Sequence, residues 1–342
     1  MSFEYVCEMP SVAEILKTLP LPDNLKKIKR RRDKEIRDVI TGESKKFLVI
    51  IGPCSTDSED AICEYVSNLA RVQAEVEDKL ILVPRIYTNK PRTTGEGYKG
   101  MVHQPVPSEA PNMVKGLQVI RKMHIRAFAE SHLSAADEML YPGNYPYLED
   151  ILSYVAVGAR SVENQLHRLT ISGLDIPAGM KNPTSGNLEV MLNSVQAAQM
   201  SHSFVYNGWE VKTSGNPFTH CILRGSVDQY GTNIPNYHYD DLRRLATSYE
   251  KRNLTYPVII VDTNHANSNK KFKEQPRIAK EVMMNRQNST TLRNKVRGMM
   301  IESYLVEGAQ KISDQVYGKS ITDACLGWED SERLLRDLAD YE

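Results

Sequence analysis

Residues 47–54 read FLVIIGPC, an apolar run with no polar alternation, closed by Gly52-Pro53 and a cysteine. A strand of this kind needs cover on both faces, as in a parallel sheet wrapped by helices, and not the one wet face of an antiparallel sheet. The next stretch, 58–76, has helical periodicity, and the pair then repeats. Strands are expected at 80–87 (LILVPRIY), 133–138 (LSAADE), 154–160 (YVAVGAR), 176–182 (IPAGMKN), 219–225 (THCILRG), 257–265 (PVIIVDTNH) and 296–303 (VRGMMIES). Helical patterns at 112–129, 188–200, 239–251 and 328–338 fill gaps between them. Eight β/α units favour an α/β fold of the closed (β/α)8 TIM-barrel type, although an open doubly wound sheet shares the alternation.

Two segments lie outside that repeat. Residues 1–45 read as an N-terminal extension and 46–342 as the barrel. The extension carries a helix break at Leu19-Pro20-Leu21-Pro22 and a charged helical run, Lys26 to Arg37, whose plain reading is a solvated face. Residues 203–212 (SFVYNGWEVK) form a hairpin signal with Asn207-Gly208 as a type I′ turn. It falls between the fifth helix and sixth strand of the barrel, where it could serve oligomer contact or regulation.

Bulk composition narrows the function. Lys plus Arg equals Asp plus Glu, 43 each over 342 residues, so no global field points to nucleic acid or a membrane. No stretch of about 18 apolar residues is present, and the N-terminus has neither a basic start nor an apolar core of a secretory signal. The five cysteines are odd in number and show no CxxC spacing, which fits a reduced, cytoplasmic protein.

Read in order, the C-terminal ends of the eight expected strands are Cys54, Arg85, Glu138, Arg160, Lys181, Arg224, His265 and Glu302. That is the face where barrel enzymes place their chemistry. Cys54, His265 and Glu302 end strands 1, 7 and 8, contiguous in a closed barrel, and Asp323 follows in the loop after strand 8. Thiolate, imidazole and carboxylates together suit a borderline divalent transition ion. Taken singly, each has an ordinary reading as a core thiol, a loop histidine or a cap. Arg85, Arg160, Lys181 and Arg224 would repel one another unless an anion neutralises them. The basic, glycine-bearing loop Lys90–Gly100 suits a second phosphate. A metal beside two anion sites suggests a reaction joining two phosphorylated molecules.

Ile51-Gly-Pro-Cys54-Ser55, Lys90-Pro-Arg92-Thr-Thr94, Gly158-Ala-Arg160, His265-Ala-Asn-Ser268, Glu302-Ser-Tyr-Leu-Val-Glu-Gly308 and Tyr317–Glu329 resemble the 3-deoxy-D-arabino-heptulosonate-7-phosphate (DAHP) synthase family, in the subgroup of enteric bacteria and yeast. The resemblance runs from about residue 10 to the C-terminus. It implies condensation of phosphoenolpyruvate with erythrose 4-phosphate, the first step of the shikimate route to aromatic amino acids. It further implies Cys54, His265, Glu302 and Asp323 as metal ligands. Arg85, Arg160, Lys181, Arg224 and the Ala159 backbone would hold phosphoenolpyruvate, and Lys90, Arg92 and Thr93 erythrose 4-phosphate. Glu138 would orient water near the enol carbon, and Lys90 is suited to protonate a developing alkoxide. The implied cofactor is one divalent ion, Mn²⁺ foremost, with Fe²⁺, Co²⁺ or Zn²⁺ compatible with the donors. A homo-oligomer, dimer or tetramer, is expected, with the N-terminal arm and the 203–212 hairpin as contacts. The chain departs from the family by one extra residue in Gly95–Lys99, by Pro183 and Ser185 after Lys181, and by Asp175 and a shorter arm in the effector apparatus. The longer loop leaves its detailed grip on phosphate open, and the effector-apparatus departures leave phenylalanine or tyrosine feedback open, including its loss. The alternatives are a 3-deoxy-octulosonate-phosphate synthase acting on arabinose 5-phosphate and a non-catalytic barrel sensing phosphometabolites.

Overall fold

In the computed structural model, which describes residues 2–342, the run 47–54 begins the central strand pairing. Strand β1 (Phe47–Gly52) lies between β2 (Leu80–Pro84) and β8 (Val296–Glu302), parallel to both. The remaining strands are β3 (Ala136–Glu138), β4 (Tyr154–Val157), β5 (Ala178–Lys181), β6 (Thr219–Leu223) and β7 (Ile259–Asp262). The order β2-β1-β8-β7-β6-β5-β4-β3 is wholly parallel. A parallel bridge between Arg85 and Ala136 joins its two ends, with Ile86 N donating to Ala136 O at 2.9 Å. The sheet is closed, as the TIM-barrel reading requires.

Two helices precede the barrel, α1 (Val12–Thr18) and α2 (Asp23–Thr41). Around it run α3 (Glu59–Val76), α4 (Met113–Ser131), α5 (Gln165–Ile171), α6 (Leu188–Gln199), α7 (Tyr239–Arg252), α8 (Gln275–Gln287), α9 (Thr290–Lys295) and α10 (Trp328–Tyr341). Ser58 and Asn112 cap α3 and α4 by accepting from the backbone of Ala61 and Lys115, which fixes where two of these helices begin. The third strand is shorter than the 133–138 pattern suggests. Helix α4 persists to Ser131, and His132 closes it in the left-handed region at φ 57°, leaving only 136–138 to pair.

Alternation along each strand separates two cores. Phe47, Val49 and Ile51 face the helices, whereas Leu48 and Ile50 face the barrel axis with Ile81, Val83, Ala156, Ile260 and Met300. The axial cluster also contains Ile36, Val39 and Ile40 of α2. Helix α2 therefore stoppers the N-terminal end of the barrel, at about 2 kcal/mol of apolar burial per side chain. The solvated-face reading of Lys26–Arg37 holds for only part of the run. Arg32 is buried, its Nη2 donating to Leu82 O and its Nη1 to Glu35, because one side of a helix seated on the barrel must turn inward. The hairpin at Ser203–Tyr206 and Trp209–Lys212 has both turn residues at positive φ, Asn207 at 47° and Gly208 at 81°, as a type I′ turn requires.

Candidate active site

Period-two alternation, carried upward from the axial core, decides which side chains reach the C-terminal mouth. On five strands an axial core residue is followed two positions later by a residue of the mouth. Val83 leads to Arg85, Ala136 to Glu138, Ile222 to Arg224, Ile260 to Asp262 and Met300 to Glu302. Gly179 leads likewise to Lys181 on β5. Four of these inward residues, Arg85, Glu138, Lys181 and Arg224, converge on a cavity lined also by Lys90, Ala159, Arg160, His265 and Asp323, while Asp262 and Glu302 pair with Lys181 and Arg85 from buried positions. Gly158 lies beside Glu138, and a Cβ at that position would stand 2.1 Å from the Glu138 Oε1, so the carboxylate keeps its place only beside glycine.

On one side, a sulfur and two carboxylates crowd together. Ligand atoms of Cys54, Glu302 and Asp323 all lie within 4.8 Å of one another. Cys54 Sγ is 3.3 Å from Asp323 Oδ2, and Lys90 Nζ donates to both, at 2.7 and 2.8 Å. His265 stands at the edge of this triangle, its Nε2 3.8 Å from Glu302 Oε1. Glu302 is wholly buried, accepting from Arg85 Nη2 at 2.8 Å and from Asn264 Nδ2 at 2.5 Å. Burial pushes its carboxyl up, but His265 and Arg85 outweigh that and hold it below the usual range. Asp323 is likewise held down by Lys90 against its desolvation. Burial, reinforced by Glu302, pushes the Cys54 thiol up to about 12. The donor types suit a divalent ion: thiol, imidazole and carboxylates converge, the Lys90 ammonium stands between two of them, and binding would draw off the thiol proton.

On the other side the cations are less crowded than the sequence suggests. Arg85 is paired with Glu302, and Lys181 Nζ donates to Asp262 Oδ2 at 2.9 Å, so buried carboxylates neutralise two of the four. Arg160 is exposed at the lip, and Arg224 is partly buried with its backbone N donating to Asn182 Oδ1. The guanidinium nitrogens Nη1 of Arg85 and of Arg224 are buried and have no acceptor among the described residues. A buried unpaired charged donor is costly, and an anion's oxygens would relieve it. Arg85 is also stacked over the Tyr87 ring at 3.9 Å, which keeps the guanidinium plane fixed.

Not every expected residue joins this mouth. Arg92 folds back so that its Nε donates to Tyr98 O in its own loop, and Thr93 is exposed; neither lines the cavity. Strand β7 ends at Asp262 and not at His265. The Asp262 side chain accepts from Asn264 N, starting a turn that carries His265 into the left-handed region at φ 53°. Asp262 and Asn264 were both readable as polar residues after VIIV, and period two from Ile260 singles out Asp262. Reading the apolar run through to the histidine hides it.

Comparison with known proteins assigns the chain to a family. The profile of the DAHP synthetase I family matches residues 24–336. The chain is 38% identical over 339 residues to the Phe-sensitive phospho-2-dehydro-3-deoxyheptonate aldolase of Escherichia coli K12, covering 97% of this chain and 93% of that protein. It is 36% identical over 341 residues to the phospho-2-dehydro-3-deoxyheptonate aldolase of Haemophilus influenzae, with 97% and 91% covered. The solved structure of the Francisella tularensis phospho-2-dehydro-3-deoxyheptonate aldolase superposes with a TM-score of 0.92 at 28% identity, over 100% of this chain and 98% of that one. With a closed barrel, a metal-competent donor cluster and full-length similarity all in agreement, the chain belongs to the DAHP synthetase I family.

Proposed function

We propose that this chain is a DAHP synthase, condensing phosphoenolpyruvate with D-erythrose 4-phosphate and water to give DAHP and phosphate, the entry to the shikimate route. The observation that carries the reading is the juxtaposition of two orphaned guanidinium donors, on Arg85 and Arg224, with the Cys54–Glu302–Asp323 donor cluster. Arg85, Arg160, Lys181, Arg224 and the Ala159 backbone hold the phosphate and carboxylate of phosphoenolpyruvate. Cys54, His265, Glu302 and Asp323 hold one divalent ion, Mn²⁺ by preference, with Fe²⁺, Co²⁺ and Zn²⁺ matching the same donors. When bound, that ion supplies Lewis acidity to the aldehyde oxygen of the sugar phosphate.

The protein residues do the rest. The cations fix the enol phosphate so that its C3 meets the aldehyde carbon, and a new C–C bond forms. Lys90, held between Cys54 and Asp323, delivers a proton to the oxygen of the former aldehyde. Glu138 orients the water that adds at C2, and phosphate leaves by C–O cleavage. Arg92 and Thr93 reach the sugar phosphate once the loop beyond Pro91 swings toward the mouth.

The protein acts in the cytoplasm, in keeping with five free cysteines, and no helix among the described residues is long and apolar enough to cross a membrane. A homo-oligomer, dimer or tetramer, is proposed from the exposed apolar residues of the 1–45 extension, Phe3 and Tyr5, and of the hairpin, Val205 and Trp209. A coupled assay offering erythrose 4-phosphate or arabinose 5-phosphate, with and without EDTA, tests the reaction. Metal-dependent turnover of the four-carbon sugar alone is expected. Preference for the five-carbon sugar selects the octulosonate reaction, and phosphoenolpyruvate binding without turnover on either sugar selects the sensing barrel.

A further inference from the structure

The residue that joins the two halves of the mouth belongs to neither set above. Asp262 ends β7 with no exposed surface. A single oxygen, Oδ2, accepts from Lys181 Nζ at 2.9 Å and stands 2.9 Å from His265 Nδ1, close though not aligned as a full hydrogen bond. The other oxygen, Oδ1, accepts from Asn264 N at 3.0 Å, and the Asp262 carbonyl accepts from Asn267 Nδ2 at 2.8 Å. The residue is therefore held through both its side chain and its backbone, and its carboxylate has little freedom to follow one neighbour without moving the other.

A carboxylate facing one imidazole nitrogen selects the tautomer with the proton there, which leaves Nε2 with its lone pair. Nε2 is the atom turned toward Glu302. The same oxygen sets the position of the Lys181 ammonium, on the side assigned to phosphoenolpyruvate. A proton or cation that draws His265 toward the donor cluster shifts the electrostatic hold on Lys181, and an anion on Lys181 shifts the hold on His265. Such effects must be reciprocal in binding free energy.

We propose that Asp262 is a positioning residue that couples divalent-ion occupancy to phosphoenolpyruvate affinity through its shared Oδ2 between His265 and Lys181. The inference rests on the ligand assignments proposed above. Asp262→Asn keeps the shape of the side chain while removing the charge that both neighbours use.

The test measures binding in the full chain, not only turnover. Mn²⁺ affinity is read by competition with a chelator, and phosphoenolpyruvate affinity by calorimetry, with and without Mn²⁺. In the wild type, Mn²⁺ tightens phosphoenolpyruvate binding. In D262N, Mn²⁺ affinity falls by roughly 10–100-fold, as for other residues behind metal ligands, and the dependence of phosphoenolpyruvate affinity on Mn²⁺ disappears. KM for erythrose 4-phosphate stays within about twofold, which a general loss of structure would not allow. Should D262N fold poorly by thermal melting, Asp262→Ser, smaller and uncharged, replaces it and is expected to lose the coupling likewise. Coupling that persists in a folded D262N or D262S overturns the inference. Cys54→Ala separates this from the underlying assignment. Mn²⁺ binding unchanged in C54A means the ligand reading itself is wrong, whereas loss in C54A with intact coupling in D262N means only the role of Asp262 is wrong.

Discussion

The two ends of this barrel are built from the same eight strands and satisfy opposite demands. At the N-terminal end, Ile36, Val39 and Ile40 of α2 complete an apolar core with Leu48, Ile81 and Val258. At the C-terminal end, the same inward register presents Arg85, Glu138, Lys181, Arg224, Asp262 and Glu302. One end gains stability from burial that asks for no particular geometry. The other keeps charges at close quarters, neutralised pairwise, with guanidinium donors left over. Binding and chemistry are therefore located where local packing is least self-sufficient.

If the contrast holds, substitutions at the upper end should erase activity and leave stability nearly untouched. Cys54→Ala gives the largest effect: turnover with phosphoenolpyruvate and erythrose 4-phosphate falls beyond the roughly 100-fold seen for residues behind a metal ligand, while the urea midpoint moves little. Turnover within tenfold of the wild type would remove Cys54 from the ligand set. Gly158→Ala comes next. Its methyl group collides with the Glu138 carboxylate, and displacement by about 1 Å costs on the order of 10²-fold in kcat, with circular dichroism unchanged. Normal kcat in this variant would show that Glu138 need not stay where it is.

The lower end should behave in reverse. Ile36→Ala removes a wholly buried side chain from the α2 stopper and should destabilise by about 2–5 kcal/mol. Activity per folded molecule should not change. A drop in kcat/KM for the folded fraction would mean that the two ends communicate, and the division of labour would have to be redrawn.

Between the ends stands Asp137, whose effect depends on pH. Burial pushes its carboxyl up to about 7, against hydrogen bonds from Thr88 and the Glu138 backbone. The folded state thus holds this proton more tightly than the unfolded chain, whose value is about 3.9. Its contribution to stability is complete below about pH 4 and is lost as pH rises to about 7. Urea midpoints of the wild type should fall relative to those of D137N over that interval. The opposite slope would show that the hydrogen bonds, and not burial, dominate.

Much of this could be read along the chain because each barrel strand is buried on both faces. In such a strand the ionisable residues that follow an apolar run sit at or near the mouth, which is why Arg85, Glu138, Lys181, Arg224 and Glu302 stand out. The same reasoning overshot at β7, where the Asx turn at Asp262–Asn264 ends the strand three residues before His265. Along the chain the Lys26–Arg37 run reads as a solvated surface, because periodicity belongs to one element at a time and carries no trace of α2 lying across the barrel's open end.

By itself the sequence determined the eight-fold β/α repeat, the hairpin with its Asn-Gly turn, and the residue types gathered at one rim. Those properties depend on local periodicity, and local periodicity is a property of neighbouring residues. Only the tertiary structure decided that Lys90 sits between Cys54 and Asp323, that Arg85 commits one guanidinium nitrogen to Glu302, and that one oxygen of Asp262 serves both Lys181 and His265. These contacts join residues from 3 to 233 positions apart. Charge pairing depends on distance in space, which is settled when the barrel closes.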